Sequence, residues 1–159
     1  MKLNIFLGLI TALIMSNSIQ AQLTELDALE KQMLSKKNYS ALLEFFESIP
    51  SEKKSARIDY FLGKAYVLTG SYKQAERYFD EGLKKDKKCP LNYIGNALLK
   101  LKEGQTEAAE KLFETATDYA DKNLKETALE IADAFVISKS QNMNYPLSLL
   151  KSVEKSKSD

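Results

Sequence analysis

The hydrophobic positions of the chain follow a helical spacing that itself recurs at a longer interval. The pattern Ala-x-x-x-Phe occurs three times, and its copies begin 34 residues apart at Ala41, Ala75 and Ala109. The alanine lets a neighbouring helix approach closely, and the phenylalanine one turn later fills the space beside it. The pattern therefore predicts helix pairs that recur along the chain.

Residues that start and end helices set the limits of the predicted elements. Gly70 and Gly104 can take the left-handed conformation that ends a helix, and Ser71 with Gln74 is a capping box for the helix that follows. Pro146 cannot lie in a helix interior, so the last helix is predicted to begin near it. These signals predict eight helices, at about residues 24–36, 39–48, 53–68, 72–85, 90–102, 106–119, 124–139 and 146–156.

The segment 56–89 carries the densest set of these repeated positions. It contains Leu62, Gly63, Tyr66, Gly70, Tyr72, Ala75 and Phe79. The 34-residue interval and these residues resemble the tetratricopeptide repeat, which is a helix–turn–helix unit. The segment departs from that family at Asp59, where a tryptophan is usual, and at Gly82, where an alanine is usual.

This resemblance implies an all-α fold, a short right-handed solenoid of about four antiparallel helix pairs. The repeats would cover residues 22–55, 56–89 and 90–123, with a degenerate fourth copy at 124–157. The short, polar C-terminal end would then be the cap that a stacked array needs for solubility. The predicted domain runs over residues 22–159 without a linker or a second domain.

In the family that the chain resembles, the first helices of the pairs line a concave groove that takes a partner segment. Carried over position by position, the partner-binding residues would be Leu26, Met33, Arg57, Tyr60, Lys64, Val67, Leu91, Ile94, Leu98 and Leu101. The set is mainly apolar and would suit an amphipathic helix or an extended apolar peptide. The family's clamp for acidic chain ends is not expected, because its positions hold Leu26, Glu30, Phe61, Leu91 and Gly95. Two alternatives are burial of the leucines by the chain's own helices and binding through the convex face or the ends.

Residues 1–21 are unlike the rest of the chain. Lys2 is their only charge, and residues 5–15 are mostly apolar. A basic start, a short apolar core and a small residue at the cut are typical of a secretory signal peptide, and the apolar run is too short to span a membrane. We expect cleavage after Ala21, or alternatively after Ser18, and export to the periplasm or the extracellular space without stable membrane insertion. An uncleaved interfacial anchor is the competing interpretation.

The charge balance argues against nucleic acid as a partner. Loss of residues 1–21 removes one of 23 basic residues and leaves 22 basic against 22 acidic residues. A nucleic-acid-binding protein usually has a clustered basic face and a high pI. The lysines of residues 84–88 are interrupted by Asp86 and are interpreted as a response to the helix dipole.

Residues that carry catalytic or metal chemistry are scarce. The chain has no histidine, which removes the commonest general base and metal ligand. Cys89 is its one cysteine, so an internal disulfide is impossible. We interpret Cys89 as a small buried hydrophobe, with crosslinking to a partner or a second copy as the alternative. The sequence therefore predicts no enzyme, no metal and no cofactor.

Taken together, these features predict an exported scaffold or assembly accessory factor of the cell envelope. It would bind a protein or a peptide whose identity the residues do not specify. The alternative is a self-associating structural protein that stacks through its ends or through Cys89, as a homo-oligomer. An enzyme is the remote alternative.

Overall fold

A computed structural model describes residues 39–120 and 123–155 of the chain. The chain divides into two compact units, Met1–Leu42 and Leu43–Asp159. Residues 39–42 are the described part of the first unit. The predicted signal peptide of residues 1–21, the predicted helix 24–36 and the candidate residues Leu26 and Met33 lie outside the described residues.

All regular secondary structure in the described part of the chain is helical, which confirms the all-α prediction. The α-helices are α1 (Tyr39–Ser48), α2 (Ala56–Leu68), α3 (Tyr72–Lys85), α4 (Pro90–Lys102), α5 (Thr106–Ala120), α6 (Leu124–Ser138) and α7 (Asn144–Lys155). A short 3₁₀ helix, Ser51–Lys53, precedes α2. α2 begins at residue 56 rather than 53 because Ser55 is its N-cap, with the Ser55 hydroxyl accepting from Ile58 N at 3.4 Å.

The helix starts reproduce the 34-residue interval of the sequence in the middle of the chain. The first residues of α2, α4 and α6 are 34 apart, as are those of α3 and α5. α7 begins at Asn144, four residues later than that interval requires. Two of the four residues extend α6 to Ser138, where Lys139 ends it in the left-handed conformation with φ 61°, and the other two lengthen the connection to α7. Pro146 lies in the first turn of α7, as predicted.

The two predicted glycine turns have the expected backbone conformation. Gly70 has φ 81° and Gly104 has φ 76°. The chain then closes each helix end with a long backward bond, from Ser71 N to Tyr66 O at 2.8 Å and from Gln105 N to Lys100 O at 2.9 Å. The predicted capping box is wrong, because Ser71 stands at the N-cap of α3 but its side chain makes no capping hydrogen bond.

The core of the middle helices is built from small and large residues that fit together. Phe79 of α3 is fully buried. A Cβ atom on either Gly63 of α2 or Gly95 of α4 would overlap its ring. α4 packs against α2, α3, α5 and α6, so it is the most enclosed of these helices. Glycine at residue 95 is therefore a packing requirement of this core.

The two residues that depart from the repeat pattern, Asp59 and Gly82, each accommodate a polar side chain of a neighbouring helix. Asp59 is buried and pairs with Lys85 Nζ at 2.6 Å. Burial raises the pKa of Asp59, and the neighbouring Lys85 ammonium opposes that rise. Gly82 leaves the space that the buried Asn92 side chain occupies, and Asn92 Nδ2 donates to Ala56 O at 2.9 Å. A polar layer thus stands where the family has an aromatic residue.

Candidate functional site

The residues predicted to line a groove lie mostly inside the fold. Those on α2 and α4 that are buried are Tyr60, Lys64, Val67, Leu91, Ile94, Leu98 and Leu101. Arg57 is partly exposed. The apolar members of the set are covered by the chain's own helices, which was the alternative interpretation of the leucines. They offer little surface to a partner in this conformation.

Three of these residues instead make a network of polar contacts from α2 to α6, which we call the polar bridge. Arg57 Nη2 lies 2.6 Å from Glu126 Oε1. Lys64 Nζ lies 2.9 Å from both Glu130 Oε2 and Asp133 Oδ2, and the Tyr60 hydroxyl donates to Glu130 Oε2 at 2.5 Å. The polar bridge therefore consists of Arg57, Tyr60 and Lys64 on α2, and of Glu126, Glu130 and Asp133 on α6.

The electrostatics of the polar bridge favour the charged forms. Burial alone would raise the pKa of Glu130, but the Lys64 charge and the hydrogen bonds from Tyr60 and Lys64 outweigh it and hold that pKa below its usual value. The Lys64 ammonium also lies 5.7 Å from the centre of the Tyr60 ring. The Lys64 side chain is only 5% exposed, so this network lies largely away from solvent.

The position of the polar bridge explains how the predicted groove is filled. α2 and α6 both pack against α4, and their long side chains meet each other. The bridge thus joins the two helices that flank α4, whose Ile94 and Leu98 are buried. A segment of a partner that used those apolar residues would first have to separate α2 from α6.

A different face of α6 is open to solvent and apolar. Leu129 is 52% exposed, Val136 is 63% exposed and Ala132 between them is half-buried. We call these three residues the α6 stripe. Their spacing places them on one side of the helix over two turns. The residue 34 positions before Leu129 is Gly95 of α4, which is buried against Phe79.

Other exposed large apolar side chains in the described residues lie singly on three different helices. They are Tyr72 on α3, Tyr119 on α5 and Leu147 on α7. Single exposed apolar residues are normal on a protein surface, whereas an aligned set marks an interaction site more often. The α6 stripe is therefore the strongest candidate docking surface in the part of the chain described.

Lysines stand at both ends of the α6 stripe. Lys125 precedes Leu129 by one turn, and Lys139 follows Val136 by one turn. Both are exposed, and neither forms an ion pair with a described residue. Residues 125, 129, 132 and 136 are spaced by four, three and four, which is the spacing of a seam between two packed helices, and Lys139 follows as the left-handed C-cap residue just past the end of α6.

The two clefts described between residues 39 and 155 do not bring catalytic groups together. A cleft of about 500 Å³ near the amino ends of α4 and α6 is lined by Arg57, Cys89 and Glu126 among others. Burial raises the pKa of the Cys89 thiol, so the reactive thiolate is disfavoured there. Within residues 39–120 and 123–155, no group of three or more His, Cys, Asp or Glu is placed to hold a metal ion.

Sequence reasoning missed the residues of α6 that matter most. Groove positions carried over to the fourth repeat gave Ala128, Ala132 and Phe135, of which only Ala132 is in the stripe, and they did not include Leu129, Val136 or the acidic partners of Lys64. The alternating spacing of four and three from Lys125 to Lys139 was a signal for the stripe. The pairing of Lys64 with Glu130 spans 66 residues, and no local pattern indicates it.

Comparison with protein-family models, with curated proteins and with solved structures found no match to the chain. Among the helices described, none combines the length and the apolar character that crossing a membrane requires.

Proposed function

We propose that this protein is an exported helical-repeat scaffold, of the tetratricopeptide type, that binds a segment of another protein in the cell envelope. The observation that carries the proposal is the α6 stripe, an aligned and exposed apolar surface on a helix whose opposite side is packed. The 34-residue interval between helix starts supports the repeat assignment.

The α6 stripe is a better docking surface than the predicted groove because it is accessible in the folded chain. Covering a leucine or valine completely contributes about 1.5–3 kcal/mol, so two such side chains that are half covered at first can together supply about 1.5–3 kcal/mol on binding. The groove residues of α4 would add to this only after the polar bridge had opened. We therefore place the first contact with the partner on α6.

A binding role accounts for the described surface better than catalysis does. The one thiol is buried, and the carboxylates of the polar bridge are held by Arg57 and Lys64. Nothing in the described residues places a nucleophile beside a base. The proposed protein acts by holding its partner, and it needs no cofactor for that.

The test uses two leucines of similar exposure as a matched pair. The mature chain is immobilised and then incubated with the envelope fraction of its own source. The retained proteins are compared for wild type, Leu129→Glu and Leu147→Glu. Leu129 is 52% exposed and Leu147 is 49% exposed, on α6 and α7 respectively. We expect Leu129→Glu to lose a protein that wild type and Leu147→Glu retain. Equal retention by all three would overturn the docking role of α6.

Export is tested separately by fractionating cells and determining the first residue of the mature chain. A mature amino terminus at Gln22, or at Ile19 for the alternative cut, supports the signal peptide. A chain that keeps residue 1 and remains in the cytoplasm would contradict the envelope location, while the docking role of the α6 stripe would be judged on its own test.

A further inference from the structure

We propose that the segment docking on the α6 stripe is an amphipathic helix whose apolar stripe is bounded at each end by an acidic residue. This inference rests on the proposed function, because it describes the partner of the same surface. It commits to the charge pattern of that partner, which the proposed function leaves open.

The geometry of α6 sets the length of the docked helix. Lys125 and Lys139 are 14 residues apart along the chain, which corresponds to roughly 21 Å along a helix axis. The apolar residues between them follow the four-three spacing that a second helix can match. The central residue is Ala132, whose small side chain leaves room for a large apolar residue of the partner.

The charges at the two ends of the stripe are positive. Glu126, Glu130 and Asp133 of α6 point towards α2, where Arg57 and Lys64 bind them. The exposed charges that bound the stripe are Lys125 and Lys139, which have no acidic partner among the described residues. A helix that buries the stripe brings its own end residues beside these two ammonium groups, and acidic residues there would complete two ion pairs.

Crowding of positive charge is strongest at the carboxyl end of α6. The Lys102 ammonium donates to Ile137 O at 2.6 Å. Burial lowers the pKa of Lys102, and the nearby charge of Lys139 lowers it further. A carboxylate placed beside Lys139 would therefore relieve a repulsion as well as form a new ion pair.

The same charges argue against a second copy of this chain as the occupant. Two α6 helices packed antiparallel about Ala132 would place Lys125 against Lys139 of the other copy. Packed in parallel, they would place each lysine against its own equivalent. Like charges face each other in both arrangements, which disfavours either dimer.

The experiment uses two synthetic helical peptides with the same apolar stripe, one with glutamate at both ends of the stripe and one with lysine. Binding to the full mature chain is measured by fluorescence anisotropy at low salt. We expect the glutamate-ended peptide to bind about tenfold more tightly than the lysine-ended one, and the difference to shrink as salt is added.

The matching variants reverse the charge on the protein. Lys125→Glu/Lys139→Glu should invert the order of the two peptides. The control Lys73→Glu/Lys84→Glu changes the same total charge on exposed residues of α3 and should leave the order as in wild type. Circular dichroism confirms that each variant is folded.

Equal affinity of the two peptides, an order that Lys125→Glu/Lys139→Glu does not change, or no binding of either peptide would overturn the inference. So would a dimer in light scattering that Leu129→Glu disperses, because a second copy would then occupy the stripe. A natural partner that needs Leu129 but is indifferent to both lysines would leave the proposed function standing and remove only its acidic-helix form.

Discussion

α4 and α6 are related by the 34-residue interval, yet they use their equivalent positions in opposite ways. In α4, Gly95 is buried where Phe79 leaves no room for a side chain. In α6 the same position is Leu129, which is 52% exposed. α4 has neighbours on four sides, whereas α6 has a side that no described helix covers. The comparison shows that the repeat sets where a helix lies, and the neighbours decide what each of its residues does.

The largest loss of stability is expected when α4 receives the residue that α6 has at the equivalent position. Gly95→Leu would force a side chain into the ring of Phe79, because even a Cβ atom overlaps it. We expect a loss of about 4 kcal/mol in the free energy of unfolding, at the upper end for overpacked cores. Urea denaturation followed by circular dichroism measures it. A chain as stable as wild type would show that α4 is not enclosed as described.

The next largest effect is expected at the packed side of α6. Lys64→Ala leaves Glu130 and Asp133 close together without their shared cation. Removing one partner of a buried ion pair typically costs about 3 kcal/mol. The double variant Lys64→Met/Glu130→Leu should recover part of this loss, which a double-mutant cycle in urea quantifies. Loss that is additive in the cycle would mean that the two residues do not interact.

The pH dependence of stability separates the carboxylates of Glu130 and Asp59. The folded pKa of Glu130 is lowered, so its stabilising contribution is present above its unfolded pKa and is lost as pH falls through the folded value. The folded pKa of Asp59 is raised, so the folded chain gains from protonating it and its contribution improves as pH falls.

Unfolding free energies of wild type, Glu130→Gln and Asp59→Asn between pH 7 and pH 4 check both signs. As pH falls, the free energy of unfolding of wild type should lose its excess over that of Glu130→Gln. Relative to Asp59→Asn, the free energy of unfolding of wild type should increase. Curves that stay parallel in both comparisons would contradict the two pKa directions.

The smallest effect on stability is expected on the open side of α6. Leu129→Ala removes a largely exposed side chain from a position that alanine suits well, so the free energy of unfolding should change by about 0.5 kcal/mol or less. The same variant should weaken binding of the partner measurably, because the side chain is part of the α6 stripe. A large loss of stability would mean that Leu129 belongs to the core and not to a docking surface.

Local chemistry made much of the helix framework predictable. Pro90 and the two left-handed glycines mark boundaries, and α3 and α4 occupy the residues that the sequence predicts. The late start of the last helix departs from the interval, but Pro146 and the predicted end of α6 near residue 139 indicated it. The sequence did not indicate that α6 is ended by Lys139 in the left-handed conformation, because lysine has no special preference for positive φ.

The candidate site was harder to predict for a physical reason. An apolar residue such as Ile94 can line a groove or fill a core, and its own sequence neighbourhood is the same in both cases. Ile94 fills the core because α6, which is more than 30 residues away in sequence, packs beside α4 and its Glu130 binds Lys64 on α2. Long-range pairing of this kind depends on the assembled helices, and single-sequence patterns do not contain it.

The buried thiol of Cys89 can serve as a built-in chemical probe of local opening of the fold. The chain has no other cysteine, so a thiol reagent can modify a single site, and burial of Cys89 beside the cleft slows that modification until the junction between α3 and α4 opens. The rate of modification at increasing reagent concentration would distinguish rare local opening from global unfolding. It would thereby time how often the interior of the helix stack is exposed to the oxidants of its compartment.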